Sequence, residues 1–150
     1  ALSSAASDVY KRQVVDYAVI EQFVLDIEDT YGVEVCGIAF DRYNAMSSAQ
    51  KWEQKYTNLT VEVKQHSSVL HPATKLLRVK IIDGQFQYEE NKLLEINFQN
   101  AKCVEDTNKN KYVNKKKSNG KVDMVVALIN AVYLLNEFEI LSDSAWSVQI

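Results

Sequence analysis

The stretch that decides the fold is a short, mostly apolar run at residues 33–41, which reads VEVCGIAFD. Its length and β-branched content predict a buried strand that ends at Asp41. A helix is predicted over residues 45–56 (AMSSAQKWEQKY), and an alternating strand over residues 59–64 (LTVEVK). Strand, helix and strand within about thirty residues predict a βαβ unit, hence a parallel pair with a right-handed crossover.

Helices flank this unit in the sequence. Upstream, apolar residues at helical spacing predict a helix over residues 16–31, with Asp16 as its N-cap and Gly32 at its end. Downstream, Pro72 is predicted to open a helix that reaches about Ile82, because the first helical turn tolerates a missing N–H donor.

The second half of the chain predicts strands and one long helix. Residues 93–99, 101–105 and 111–114 are predicted strands, the last two around a polar turn at residues 106–110. Residues 122–140 predict a helix that is apolar on nearly every side, so we expect it to be buried between other layers. The mixture predicts an α/β fold.

Composition excludes several classes of protein. With 47% hydrophobic and 25% charged residues, the 150-residue chain is neither a fibrous repeat nor a disordered tail. The net charge of −3 excludes a uniformly basic nucleic-acid binder but leaves a locally basic one open. No run approaches the roughly 18 apolar residues of a membrane span, so no membrane partner is expected. Cys36 and Cys103 lack CxxC spacing, which argues against a zinc module, and Cys36 is expected in the core.

Residues 1–13 (ALSSAASDVYKRQ) differ from the rest of the chain. They are small and polar, without the apolar core of a signal peptide. One interpretation is a frayed terminus. The interpretation we favour is a non-native segment, because residues 3–13 resemble a translated transposon-end adaptor from DNA library preparation. Residues 14–150 would then be the genuine chain.

Two carboxylates stand out by position. Asp41 follows the apolar strand, and ligands of open α/β folds gather at the carboxyl ends of strands. Asp123 opens the most apolar helix, which would hold it at a rigid edge. Two such carboxylates make an oxygen-rich site that suits Mg²⁺ or Mn²⁺ rather than zinc. The alternative at each position is an ordinary turn residue or helix N-cap.

A basic segment lies just before Asp123. It contains six lysines within thirteen residues and no acid: Lys109, Lys111, Lys115, Lys116, Lys117 and Lys121. One interpretation is a solvated, mobile loop. The interpretation that we favour is contact with a nucleic-acid backbone beside the metal site, which positions DNA without reading its sequence.

In their order and spacing these motifs resemble the C-terminal nuclease domain of the large terminase subunit of tailed bacteriophages. The resemblance covers about residues 14–138. It rests on the following pieces: IAFDRYN at 38–44, Gln65, LHPATKLL at 70–77, Asn100-Ala101, DTNKN at 106–110, Lys115 or Lys116, and KVD at 121–123 before an Ala-containing apolar helix.

The resemblance implies an α/β, RNase H-like nuclease fold and an endonuclease that cleaves concatemeric viral DNA by metal-dependent phosphodiester hydrolysis. It implies Asp41 and Asp123 as catalytic, metal-binding acids of a two-metal Mg²⁺ or Mn²⁺ site. The six lysines would contact DNA. The implied partners are double-stranded viral DNA, the small terminase subunit and the portal, in the cytoplasm of the infected bacterial host.

The family also carries a further metal-binding acid on an upstream strand and an N-terminal ATPase motor. Asp16 lies at a helix start and Asp8 in the adaptor-like segment, so neither fits that acid. We therefore expect an RNase H-like domain that is incomplete at its N-terminus, with its opening strands missing. The alternatives are a non-catalytic RNase H-like module that binds DNA or protein, and another RNase H-like nuclease such as a resolvase or transposase.

This expectation predicts that the 150-residue chain cuts DNA little or not at all, because one set of metal ligands is incomplete. The measurement is conversion of supercoiled plasmid to nicked and linear forms in the presence of Mn²⁺. Robust metal-dependent cutting by this chain would contradict it.

Overall fold

A computed structural model describes residues 15–137 of the chain, apart from the side chain of Asn44. The adaptor-like interpretation of residues 1–13 falls outside the described residues and stays a prediction. The last residues of the predicted helix, 138–140, also fall outside them. The described chain forms two compact units, which divide between Glu34 and Val35.

The first unit contains helix α1 (Tyr17–Tyr31), which confirms the predicted helix. The Asp16 side chain accepts a hydrogen bond from the N–H of Ala18 at 3.0 Å, as an N-cap does. Gly32 ends the helix with a φ of 64°, a left-handed conformation that glycine adopts without steric cost.

The second unit alternates helices with short strands. Its elements are β1 (Ile38–Phe40), α2 (Arg42–Lys55), β2 (Thr60–Glu62), α3 (Ser67–Ile82), α4 (Lys92–Asn100), β3 (Cys103–Glu105), β4 (Lys111–Val113) and α5 (Asp123–Glu137). The predicted βαβ unit is confirmed, because β1 and β2 pair in parallel with Ile38 opposite Thr60. The predicted hairpin is also confirmed, because β3 and β4 pair antiparallel with Glu105 opposite Lys111.

The buried strand predicted over residues 33–40 is only partly right. Strand β1 begins at Ile38, and its three residues are half-buried rather than buried. Cys36 precedes the strand and is exposed, so the prediction that it lies in the core is wrong. The run is apolar in sequence, but only its last residues find a pairing partner in β2.

The strand predicted over residues 93–99 is wrong, because this segment is helix α4. The Asn91 side chain caps the helix by accepting the N–H of Leu94 at 3.0 Å. Leu94, Asn97 and Phe98 are among the positions that turn inward, at helical rather than alternating spacing. Capping and this spacing together overrode the strand-like alternation of apolar residues.

Helix α3 ends at Ile82 as predicted, but it begins at Ser67 rather than at Pro72. The His66 side chain caps it by accepting the N–H of Ser68 at 3.3 Å. Pro72 therefore lies inside the helix, where it removes one backbone hydrogen bond.

Helix α5 contributes most of the core, so the prediction that it is buried is right for one side of the helix, whereas Asp123, Ala127 and Ala131 form an exposed stripe. It packs against α3, α4 and β1. Four of its buried apolar residues and three of α3 belong to one cluster: Val125, Val126, Ile129, Val132, Leu70, Ala73 and Leu77. None of the helices within residues 15–137 is long and apolar enough to cross a membrane.

The start of α5 depends on Asn97, a residue that is 3% exposed. Its Oδ1 accepts the N–H of Met124 at 3.2 Å, and its Nδ2 donates to the carbonyl of Leu93 at 2.9 Å. We expect Asn97→Ala to lower the free energy of unfolding by about 1–3 kcal/mol, because buried polar groups lose their partners. Urea denaturation measures this. The control is Gln99→Ala on the exposed side of the same helix, expected to change stability by about 0.5 kcal/mol or less. Equal effects would contradict the prediction.

Candidate functional site

The two predicted acids lie at the same end of the second unit. Asp41 directly follows β1. Helix α5 runs antiparallel to β1, as two contacts show. Leu134, late in α5, lies beside Gly37 before the strand, where an added Cβ would come within 3.2 Å of it. Asn130, earlier in α5, accepts a hydrogen bond at 3.1 Å from Gln65, which follows β2.

Asp123 lies seven residues before Asn130 in the same helix, about 10 Å further along its axis at about 1.5 Å per residue. It therefore lies beyond the carboxyl ends of the two parallel strands, on the side of Asp41. This placement agrees with the prediction that Asp41 and Asp123 lie at the carboxyl ends of the parallel strands. Within residues 15–137 no group of three His, Cys, Asp or Glu side chains is close enough to hold a metal ion.

Asp41 is a half-buried residue, and its side chain caps helix α2. Its Oδ1 accepts the N–H of Tyr43 at 3.2 Å. The helix-cap interpretation is therefore realised in the structure. Capping does not conflict with a role in a metal site, because the hydrogen bond to Oδ1 holds the side chain at the end of β1.

The Asp123 carboxylate is exposed and paired with a cation. Its side chain is 69% exposed, and its Oδ1 lies 3.7 Å from the Nζ of Lys115. The site thus already holds a positive charge beside this acid. The two carboxylates fit Mg²⁺ or Mn²⁺ in donor type, since both ions prefer oxygen ligands. They make up only part of the ligand set of a two-metal site.

The six lysines lie on a segment, residues 109–121, that we call the lysine segment. All six side chains are exposed. The segment is an ordered turn, because the Oδ1 of Asn114 accepts the N–H groups of Lys116 at 3.0 Å and Lys117 at 3.1 Å. The exposure of all six lysines agrees with both interpretations of the segment, the solvated loop and the DNA contact.

The far end of the lysine segment is tied to the end of α4. Asn119 donates its N–H to the carbonyl of Asn100 at 3.0 Å, and the Asn100 side chain donates to the carbonyl of Lys121 at 3.1 Å. A Cβ at Gly120 would lie 2.7 Å from the Nδ2 of Asn100, so only glycine fits without a shift there. The segment is thereby anchored two residues before Asp123.

The near end is tied down by Asp106, at the tip of the β3–β4 hairpin. Its Oδ1 accepts the N–H groups of Asn108 at 2.8 Å and Asn110 at 2.9 Å. Its Oδ2 accepts the hydroxyl of Ser67 at 2.6 Å and the Nδ2 of Asn110 at 3.0 Å. These bonds, that of Ser67 first, lower the pKa of Asp106 to about 2.

A second bond joins the hairpin to α3. The Nδ1 of His71 accepts the N–H of Lys111 at 2.8 Å. The sequence analysis assigned no role to His71, Asp106 or Ser67. The polar DTNKN turn was the available signal, but Ser67 is 39 positions away in the chain, and only the fold brings it to the turn.

Comparisons with known proteins agree with this architecture. Residues 2–139 match the family model described as terminase large subunit, endonuclease domain. The crystal structure of the HK97 bacteriophage large terminase is similar, with a TM-score of 0.69 and 24% identity, over 80% of this chain. The chain spans 25% of that protein. The match confirms the predicted α/β, RNase H-like fold. A comparison with curated protein sequences found no match.

Asp106 predicts a specific acid sensitivity. Its pKa is about 2 in the folded chain against an ordinary value of 3.8, so its bonds stabilise the fold above about pH 4 and are lost as the pH falls towards 2. We expect Asp106→Asn to be less stable than the parent at pH 5 and to lose less stability between pH 4 and pH 2. Thermal unfolding at a series of pH values measures this. Parallel pH profiles for the two proteins would contradict it.

Proposed function

This chain belongs to the family of terminase large-subunit endonuclease domains, and on that basis we propose that, within the intact packaging enzyme, this domain cleaves concatemeric viral DNA by metal-dependent phosphodiester hydrolysis. The observation that carries the proposal is the contact between Lys115 and Asp123, 3.7 Å apart. It joins the lysine segment to the acidic edge, so a DNA backbone held by the lysines would pass next to the acids.

Each group has a distinct role in the proposal. Asp41 and Asp123 are the carboxylates that hold Mg²⁺ or Mn²⁺. When bound, the metal supplies activation of water and stabilisation of the leaving oxygen. The N–H of Tyr43 keeps the Asp41 side chain in place, whereas the exposure of Asp123 leaves its carboxylate accessible from solvent.

The lysine segment neutralises phosphate charge. Its exposed ammonium groups attract the DNA backbone without reading bases, and the ordered turn at Asn114 limits the freedom that DNA binding must remove. Lys115 has a second role, because it balances the charge of Asp123 when no cation is bound there.

We further propose that this domain works as part of a longer packaging protein in the cytoplasm of the infected bacterium. Its partners in that setting are double-stranded viral DNA, the small terminase subunit and the portal. The family membership and the 25% span of the HK97 large terminase support this setting.

The roles of the acids can be tested by substitution. In a form of the protein extended upstream through the strands that the family resemblance implies, Asp41→Asn and Asp123→Asn are each expected to lower Mn²⁺-dependent plasmid cleavage by about two orders of magnitude or more. DNA affinity should stay the same or rise, because each variant removes a negative charge.

The matched control is Asp83→Asn. Asp83 is the C-cap of α3, whereas the hairpin contacts the beginning of that helix at Ser67. The control variant is expected to cleave at the parent rate. If Asp41→Asn and Asp123→Asn also cleave at the parent rate, the assignment is wrong. If the extended parent binds DNA without cleaving it, the non-catalytic module is the correct interpretation.

A further inference from the structure

The tip of the β3–β4 hairpin is fastened to the beginning of α3 through side chains that have no role in the proposed chemistry. Asp106 gathers four hydrogen bonds at the tip, one of them from Ser67, the first residue of α3. One turn further, His71 accepts the N–H of Lys111. Because α3 begins just after β2, the hairpin is held at the carboxyl ends of the parallel strands.

The fastened tip carries part of the lysine segment. Lys109 lies within the turn that Asp106 closes. Its backbone has a φ of 64°, a left-handed conformation that residues other than glycine rarely adopt unless their surroundings impose it. Its N–H donates to the carbonyl of Asp106 at 3.0 Å. Lys111 follows at the start of β4. The directions of these two lysines therefore depend on the bonds that close the turn.

We propose that Asp106 is a positioning residue for DNA binding, which holds the hairpin tip on α3 so that the lysine segment presents its charges in one fixed arrangement. The inference rests on the proposed function, since it concerns the same DNA-binding surface. Asp106 carries a negative charge three residues before the first of the six lysines. A role in DNA attraction would make that charge unfavourable, so its position is explained by the hydrogen bonds that it accepts.

The charge of Asp106 and its hydrogen bonds have opposite expected effects on DNA affinity, so a substitution can tell them apart. Asp106→Asn removes a negative charge, which by itself would strengthen DNA binding. It also replaces the Oδ2 acceptor with an amide nitrogen, so the charge-assisted hydrogen bonds that the carboxylate accepts from Ser67 and Asn110 are lost and the tip is held less firmly. DNA binding must then order the lysines, and we expect about threefold to tenfold weaker affinity.

Two further variants separate the causes. Ser67→Ala removes the donor to Asp106 and changes no charge, so it should weaken binding in the same direction. Glu105→Gln is the matched control. It removes the neighbouring acid, whose Oε2 lies 3.6 Å from the Nζ of Lys111. The hydrogen bonds that close the turn stay intact. This variant should bind DNA as tightly as the parent or more tightly.

The experiment is fluorescence anisotropy of the 150-residue chain with a short DNA duplex over a series of salt concentrations. Asp106→Asn and Ser67→Ala should give a shallower dependence of log affinity on log salt, because fewer phosphates are neutralised together. A merely structural role of Asp106 would lower the unfolding temperature without changing this slope. Hydrogen exchange at the amides of Asn108 and Lys111 should be faster in Asp106→Asn.

The outcomes are distinct. If Asp106→Asn binds as tightly as Glu105→Gln with an unchanged salt slope, the inference is overturned and the proposed function stands. If the parent does not bind DNA, both are overturned. If Asp106→Asn does not fold, Ser67→Ala decides alone, and parent-like affinity and slope in that variant overturn the inference.

Discussion

The antiparallel packing of helix α5 on strand β1 is the constraint on which the rest of the second unit depends. Val125, Val126 and Ile129 bury one side of the helix in the core, and Leu134 meets the chain at Gly37. Because the helix is rigid, fixing its late residues beside the start of β1 also fixes its first residue beyond the end of that strand. The position of Asp123 relative to Asp41 follows from this packing.

The polar contacts around α5 serve the same arrangement. Asn97 satisfies the N–H of Met124 at the start of the helix, and Asn100 holds the chain that leads into it. At the near end of the lysine segment, Asp106 and His71 connect the hairpin to α3. The lysine segment is therefore anchored at both ends, and a chain with a net charge of −3 presents a concentrated basic surface next to Asp123.

The elements that sequence reasoning predicted well are those with local signals. Asp16 and Gly32 bound α1 through capping and a left-handed residue, both of which act within one turn. The hairpin followed from the polar turn at residues 106–110. Helix α4 was predicted wrongly because its apolar residues also alternate, and a segment of nine residues satisfies both periods. Its cap at Asn91 was the signal that could have decided the question.

The sequence by itself determined the family, the βαβ unit, the buried last helix and the residues that stand out as acids and lysines. These depend on hydrophobic periodicity and on motif order, which are properties of the chain. Only the tertiary structure decided that Ser67 reaches Asp106, that His71 reaches Lys111, and that Lys115 pairs with Asp123. The first two contacts join residues about forty positions apart, and no local propensity encodes such a distance. They form because the packing of α3, α5 and the hairpin brings the hydrogen-bond donors and acceptors together.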